Sequence, residues 1–433
     1  MSEMVVDVVL WGTTIGTVFG EEGRPYWSFQ YDLEFLGSGI EVSPVMMPLR
    51  RAAYSFPELV GASFQGLPGL LADSLPDKYG NALIEEWLAR QGRLPGSQTV
   101  LEKLCYVGSR GMGALEFRPR LGPVESRGAI LEVSELVELA NEILGKRNAF
   151  RTSMAGGRAD AMKEILRVGT SAGGARAKAV VAFHPETLEV RSGQVEAGLG
   201  FDYWLIKFDG VAENRDHELN DPLGFGAIEY AYSLMAKAAG IEMTECRLLE
   251  EGGRRHFMTK RFDRYEGGKK LHMQTLGGLA HFDFHQAGAN SYEQAMLLMK
   301  HLRMGHESVK EMYRRMVFNV MARNQDDHVK NIAFLMDRGG EWGLAPAYDV
   351  TYSYNPVGAW TSSHQMRVNG KRDGFERSDF LECARTVGVH VVTAKRIIED
   401  VLGAVERWEE FAFEAQVPSE WVASVRAAHR LDW

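Results

Sequence analysis

The sequence predicts an α+β chain, rich in strands at its start, mixed in its middle and mainly helical from Tyr292 onward. Three patterns carry that expectation. Residues 5–15 and 17–19 are dominated by β-branched side chains, with Gly12, Gly16, Gly20 and Gly23 as punctuation, the pattern of a hairpin. Residues 179–183 and 203–208 are short apolar runs of strand type, whereas residues 295–299, 313–321, 394–413 and 419–429 carry helical patterns. At 433 residues the chain exceeds the roughly 250–300 at which a single core stops growing, so two or three domains are expected.

Composition narrows the class. A hydrophobic fraction of 45% supplies ample core material, yet no segment reaches the run of about 18 apolar residues that a membrane span needs. The formal charge of −9 lacks the electrostatic footprint of an autonomous nucleic-acid binder. Met1-Ser2-Glu3-Met4 is acidic where a secretory signal is basic, so a cytoplasmic protein is expected. Cys105, Cys246 and Cys383 are odd in number and far apart, which argues for three buried thiols rather than a disulfide framework or a metal knuckle.

Along the chain, residues 26–33 read as a strand and the apolar run 45–49 as a further part of a small β-rich module. Residues 75–88 follow as an amphipathic helix, with Pro76 near its start, Leu83, Trp87 and Leu88 on one face, and Gly92 and Pro95 ending it. The glycine cluster at 108–113 reads as a tight turn, because it runs into no lysine-bearing unit. Residues 134–144 predict a helix capped by Ser134, and Gly156-Gly157 marks a loop near a boundary.

The stretch 169–178, Gly-Thr-Ser-Ala-Gly-Gly-Ala-Arg-Ala-Lys, leads directly into the strand 179–183. Loop followed by strand is how kinases carry their glycine-rich phosphate loops; the competing reading is a flexible hairpin connection. Lys207 sits inside an apolar strand, where its ammonium needs an anion that nucleotide phosphates would supply, unless it lies on an edge and faces water. Glu229, on the helix-like run 227–239, is the candidate to orient it. Residues 256–264 read as a strand whose backbone is suited to an adenine.

Asn324-Gln325-Asp326-Asp327-His328-Val329-Lys330-Asn331, answered by Asp349, has the residue types of a phosphoryl-transfer centre. Such a centre needs a carboxylate to take the proton of the attacking hydroxyl and oxygen ligands to hold Mg²⁺ against the phosphates. Asp326 and Asn331 stand at the Asp-to-Asn spacing of a kinase catalytic loop, although the His-Arg pair before it is missing; that spacing favours Asp326 over Asp327. The expected architecture is therefore a bilobal protein-kinase-like fold: a β-rich N-terminal subdomain (1–120), a mixed α/β small lobe (121–265) and a mainly α-helical C-terminal lobe (266–433).

The chain resembles the HipA family of bacterial toxin kinases. The resemblance lies in residues 173–178, Trp204-Leu205-Ile206-Lys207, residues 260–264, the run from Asn324 to Asn331 and the run from Leu344 to Asp349, with weaker support at Leu75-Pro76-Asp77 and residues 113–117. It implies a serine/threonine protein kinase dependent on ATP and Mg²⁺ that stops growth. The expected partner is a small helix-turn-helix antitoxin of HipB type, through which alone DNA is met, and the expected substrate is a translation protein such as an aminoacyl-tRNA synthetase. By the same likeness Asp326 is the proton acceptor, Asn331 and Asp349 hold the metal, and Lys207 holds the α/β-phosphates. Gly173, Gly174, Ala175, Arg176, Ala177 and Lys178 wrap the phosphates, and His328, Val329, Lys330 and Tyr348 line them. The backbone of Lys260, Arg261 and Phe262 meets the base. Ser171 matches an autophosphorylated loop serine, with Thr170 next door as the alternative; a phosphate there repels ATP and silences the enzyme.

Other constellations are weaker. His281 and His285 form a metal-type pair only if helical, and they lack a third ligand. Arg314, Arg315, Arg323 and Lys330 make either a basic strip beside the cleft or a solvated helical face. A small-molecule kinase on the same plan, and a nucleotide-binding pseudokinase serving as a repression partner, remain as alternative functions.

Overall fold

A computed structural model describes residues 5–20, 23–122, 131–145 (backbone alone at 144 and 145), 163, 165, 166, 168, 169, 176–194, 197–211, 223–265 and 268–433. The β-branched start forms β1 (Val6–Leu10) and β2 (Thr13–Gly20), joined at Trp11 and Gly12, both with positive φ, as a tight two-residue hairpin demands. With β3 (Trp27–Tyr31), β4 (Tyr54–Ser55) and β5 (Leu115–Arg118) they make an antiparallel sheet in the order β4-β3-β2-β1-β5. Residues 45–49 add no strand, contrary to expectation. Pro48 brings no N–H to a ladder, and the carbonyls of Met47 and Pro48 accept the hydroxyls of Tyr31 and Tyr54.

The second sheet runs β7-β6-β8-β10-β9, from β6 (Lys178–Phe183), β7 (Val190–Ser192), β8 (Asp202–Lys207), β9 (Cys246–Glu251) and β10 (Arg254–Lys260). Every residue of β6 is buried. One cover is the helix Phe225–Ala238, whose entry is fixed by Asp209 accepting the N–H groups of Gly224 and Gly226. Another is the helix Lys78–Arg90, which starts after Pro76 because Asp77 is its cap. Its Tyr79, Leu83, Ile84 and Leu88 share a core with Ala179, Val181, Phe183, Trp204 and Ile206. Each such side chain contributes about 1.5–3 kcal/mol by leaving water, so this helix is bound into the small lobe although the sequence carries it long before that lobe's strands. The helix Val133–Gly145 joins the same core; Ser134 lies inside it rather than at its cap.

The remaining strands are the small pair β11 (Arg264–Tyr265) and β12 (Lys269–Lys270), and a three-stranded sheet of β13 (His272–Thr275), β14 (Ala333–Met336) and β15 (Trp342–Leu344). Around them stand the helices Tyr292–His301, His306–Met321, Arg377–Val387, Val391–Glu406, Trp408–Glu414 and Ser419–Ala428. The first starts at a capping box, Ser291 with Gln294. The run read as one helix over 394–413 is broken at Arg407, where fully buried Trp408 turns its indole N–H onto the Val422 carbonyl.

The N-terminal module is tied to residues 275–342. Met336 belongs to its core, and the Trp342 indole donates to the Glu41 carbonyl at 3.1 Å. The short helix Gly69–Ala72 lies so close to the helix Leu276–Ala280 that a Cβ on Gly69 would stand 2.1 Å from the Gly278 carbonyl oxygen. Asp73 then accepts the Thr275 N–H at 2.6 Å and the Thr275 hydroxyl at 2.7 Å. All three cysteines are free and buried. Among the described residues no helix is long and apolar enough to cross a membrane.

Candidate active site

Lys207 ends β8 at the floor of the small lobe, and its Nζ lies 2.5 Å from Glu229 Oε1 and 2.5 Å from Asp349 Oδ1. Burial alone would draw its pKa down, but the Asp349 and Glu229 carboxylates outweigh it and push the ammonium up to about 12. Burial likewise raises the Asp349 carboxyl, and Lys207 beside it more than reverses the effect, holding it well below the usual carboxylate range. Glu229, only 1% exposed, is pushed above its ordinary value by burial. Arg176 adds a second cation, 3.8 Å from Glu229 Oε2, with its guanidinium over the Phe225 ring.

In the run 324–331 the two neighbouring aspartates have been sorted by their surroundings. Asp327 is buried: Oδ2 accepts from the Tyr292 hydroxyl and from His364 Nδ1, each at 2.8 Å, and Oδ1 accepts the Gln365 N–H at 2.7 Å. Asp326 keeps a side chain 32% exposed; among the described residues it has one hydrogen bond, from Trp360 Nε1 to Oδ1 at 2.7 Å, with His328 Nε2 3.8 Å from the same oxygen. Asn331 donates its amide N–H to the Asp326 carbonyl at 2.8 Å, which leaves its Oδ1 as the open end of the side chain. Asp327, His328, Asn331, Tyr348 and Asp349 line one cavity. Asp349 itself sits at φ +54, in the left-handed region that non-glycine residues adopt uncommonly.

A profile described as the HipA N-terminal domain matches residues 6–118, and one described as the HipA-like C-terminal domain matches residues 170–408, more than half of the chain. The chain belongs to the HipA family. A provisionally named kinase of Haemophilus influenzae is 22% identical over 231 residues, 47% of this chain and 67% of that one. HipA of Shewanella oneidensis, solved in complex with HipB and its operator DNA, is 17% identical over 98% of this chain and 94% of its own, with a TM-score of 0.67. That likeness shows the bilobal, kinase-like α+β fold. The Helicobacter pylori proinflammatory kinase CtkA aligns with 52% of this chain and 90% of its own at 13% identity and a TM-score of 0.33.

The other residues that the HipA likeness singles out are distributed as follows. Gly173, Gly174, Ala175, Thr170 and Ser171, like Gly156-Gly157, lie outside the described residues. Ala177 is buried and its carbonyl accepts the Phe208 N–H. Tyr348 donates its hydroxyl to the Lys330 carbonyl at 2.5 Å and packs near Phe262, bracing the catalytic segment through its backbone. Lys330 Nζ stands 5.0 Å from the centre of the Phe284 ring, and Val329 is buried.

The segment 260–262 is largely engaged within the protein. The N–H groups of Lys260 and Arg261 donate to the carbonyls of Glu245 and Tyr203, and the Lys260 carbonyl accepts from Thr244. Phe262 keeps the N–H with no backbone partner among the described residues. Arg261 is turned inward onto Asp263, which also receives Arg264 and the Gly113 N–H. Burial would raise the Asp263 carboxyl, but the two guanidinium groups hold it well below the usual range. These side chains therefore dock the 108–113 turn against the kinase-like lobes.

Two weaker readings meet the structure here. His281 ends its helix at φ +55 and accepts the Gly69 N–H, whereas His285 contacts Ser63, so they are not a helical metal pair. Arg315 is buried on Glu311 and the Ala345 carbonyl, Arg314 reaches the Ala239 carbonyl and Asp400, and Arg323 the Ala428 carbonyl. They form neither a basic strip nor a solvated face. Trp360, His364 and Tyr292 went unseen as parts of the site. Only the doubled aspartate hinted at them, since two adjacent carboxylates seldom share one environment.

Proposed function

We propose that this chain is an ATP- and Mg²⁺-dependent serine/threonine protein kinase, the toxin of a pair completed by a helix-turn-helix antitoxin of HipB type, with DNA reached through the antitoxin. Its substrate is a translation protein such as an aminoacyl-tRNA synthetase, and it works in the cytoplasm. Residues 1–120, 121–265 and 266–433 act as N-terminal subdomain, small lobe and catalytic lobe of one enzyme. The observation that carries the reading is the contrast between the two aspartates: Asp327 is spent on internal donors, while Asp326, next to it, keeps a side chain 32% exposed with one oxygen held by Trp360.

Asp326 takes the proton of the substrate hydroxyl as that oxygen bonds to the γ-phosphorus and the bond to the ADP oxygen breaks. Trp360 holds one oxygen of Asp326 and leaves the other for that proton. Lys207 trades its Asp349 contact for the α/β-phosphates and keeps Glu229 as its anchor. The Asn331 amide oxygen and the Asp349 carboxylate are hard oxygen donors suited to Mg²⁺, which takes one or two carboxylates and completes its shell with phosphates and water. When bound, the ion neutralises phosphate charge. Residues 173–178 enclose the phosphates, His328, Val329, Lys330 and Tyr348 shape the catalytic side, and the Phe262 N–H meets the base. Ser171, or Thr170 beside it, takes a phosphate that switches the loop off.

The test is incubation with γ-labelled ATP and Mg²⁺ beside Asp326→Asn, followed by mass spectrometry of residues 165–180. Label at Ser171 or Thr170 in the wild type alone is the expected result. ATP bound without label on any protein refutes the protein-kinase reading, and ADP release with a metabolite extract then assigns a small-molecule kinase.

A further inference from the structure

Asp77 comes from the N-terminal part of the chain, yet it meets the small lobe where β6 begins. Its Oδ1 caps the helix Lys78–Arg90 by accepting the Gly80 N–H at 2.6 Å, and its Oδ2 lies 3.3 Å from Lys178 Nζ. That second contact lacks hydrogen-bond alignment, so it acts through charge. Lys178 has a side chain 2% exposed and stands directly opposite Lys207 on the β6–β8 ladder, which puts two ammonium-bearing side chains on one face. Like charges in that arrangement repel unless each is answered. Glu229 and Asp349 answer Lys207; Asp77 answers Lys178. Burial draws the Lys178 pKa down, and Asp77, with a smaller contribution from Asp349, opposes that.

The same helix also supports the root of the glycine-rich loop. A Cβ on Gly169 would stand 2.6 Å from Leu83 Cδ1, 3.2 Å from the Tyr79 ring and 3.3 Å from the Lys178 carbonyl oxygen. The chain entering the loop thus rests on the helix that Asp77 starts.

Resting on the kinase reading, we propose that Asp77 is a positioning residue for nucleotide binding: it holds the Lys178 ammonium beside Lys207 so that both face the triphosphate, and thereby makes the phosphate site depend on the N-terminal segment being docked. Leu75-Pro76-Asp77 then belongs to the nucleotide site although it lies far outside the catalytic lobe.

The experiment is a double-mutant cycle on the full chain, with ATP affinity read by calorimetry for wild type, Asp77→Asn, Lys178→Met and the pair. Asparagine keeps the helix cap and removes the charge. Each single variant is expected to bind ATP roughly tenfold more weakly, the size of one lost charged contact, and the pair no more weakly than Lys178→Met alone. Asp77→Glu should restore most of the affinity. Wild-type affinity in Asp77→Asn with a lowered Tm, or losses that add in the pair, overturns the proposal and assigns Asp77 to folding only. Should Asp77→Asn fail to fold, Lys178→Met decides, because wild-type ATP affinity in that variant overturns the idea equally. Failure of the wild type to bind ATP refutes the kinase reading and the proposal with it, whereas binding that ignores Asp77 refutes the proposal alone.

Discussion

Replacing Asp327 by alanine removes one acceptor on which three buried donors converge: the Tyr292 hydroxyl, His364 Nδ1 and the Gln365 N–H, all within 2.8 Å. Each donor left without a partner costs about 1–3 kcal/mol, and breaking a buried charged arrangement from one side typically costs about 3–5 kcal/mol. His364 also accepts from Arg430, which is paired with Asp373, so the loss spreads to the segment beyond the last helix. We expect Asp327→Ala to lose about 3–5 kcal/mol, a large share of the roughly 5–15 kcal/mol of a typical domain. Asp326→Ala, next in the chain, forfeits one hydrogen bond on a partly exposed side chain and should lose about 0.5–1.5 kcal/mol while abolishing phosphoryl transfer. Urea unfolding followed by fluorescence measures both. Equal destabilisation of the two variants, or a stable Asp327→Ala, would refute the division of labour drawn from their surroundings.

Acid should weaken the fold well before carboxylates titrate. Burial lowers His256, His272 and His281 to about 4 and His429 to about 3, so each is neutral when folded and takes up a proton on unfolding below about 6.5. Stability is then complete above pH 6.5 and falls as pH drops toward 4, by up to about 2 kcal/mol per histidine between pH 7 and 5; an unchanged urea midpoint over that interval would contradict this. Lys207→Met should abolish ATP binding in calorimetry, since Asp349 loses the cation that holds it ionised beside Glu229; retained affinity would remove Lys207 from the nucleotide site. Gly69→Ala places a methyl against the Gly278 carbonyl and should cost about 1–3 kcal/mol while exposing the 69–77 segment to limited proteolysis; a protease pattern like wild type would show that the contact yields without penalty.

What the sequence determined by itself was the local chemistry. β-branched runs with glycine punctuation specified the first hairpin, because strand preference is set by neighbouring residues. A lysine inside an apolar strand announced that Lys207 must meet an anion, and the spacing of Asp326 and Asn331 singled out a catalytic-loop pattern. Those signals named Glu229 as the partner of Lys207, and they reached no further. Lys207 meets Asp349 across 142 residues, Arg261 faces Asp263 rather than a ligand, and Asp77 reaches Lys178 from an element that local periodicity shows only as an amphipathic helix. The spacing to Asn331 favoured Asp326 over Asp327, but which of the two is held by internal donors was out of reach, since both carry the same group and differ only in what folds against them. Tertiary structure decided these matters because charge compensation and burial are properties of the packed neighbourhood, which in this chain is assembled from segments that the sequence keeps far apart.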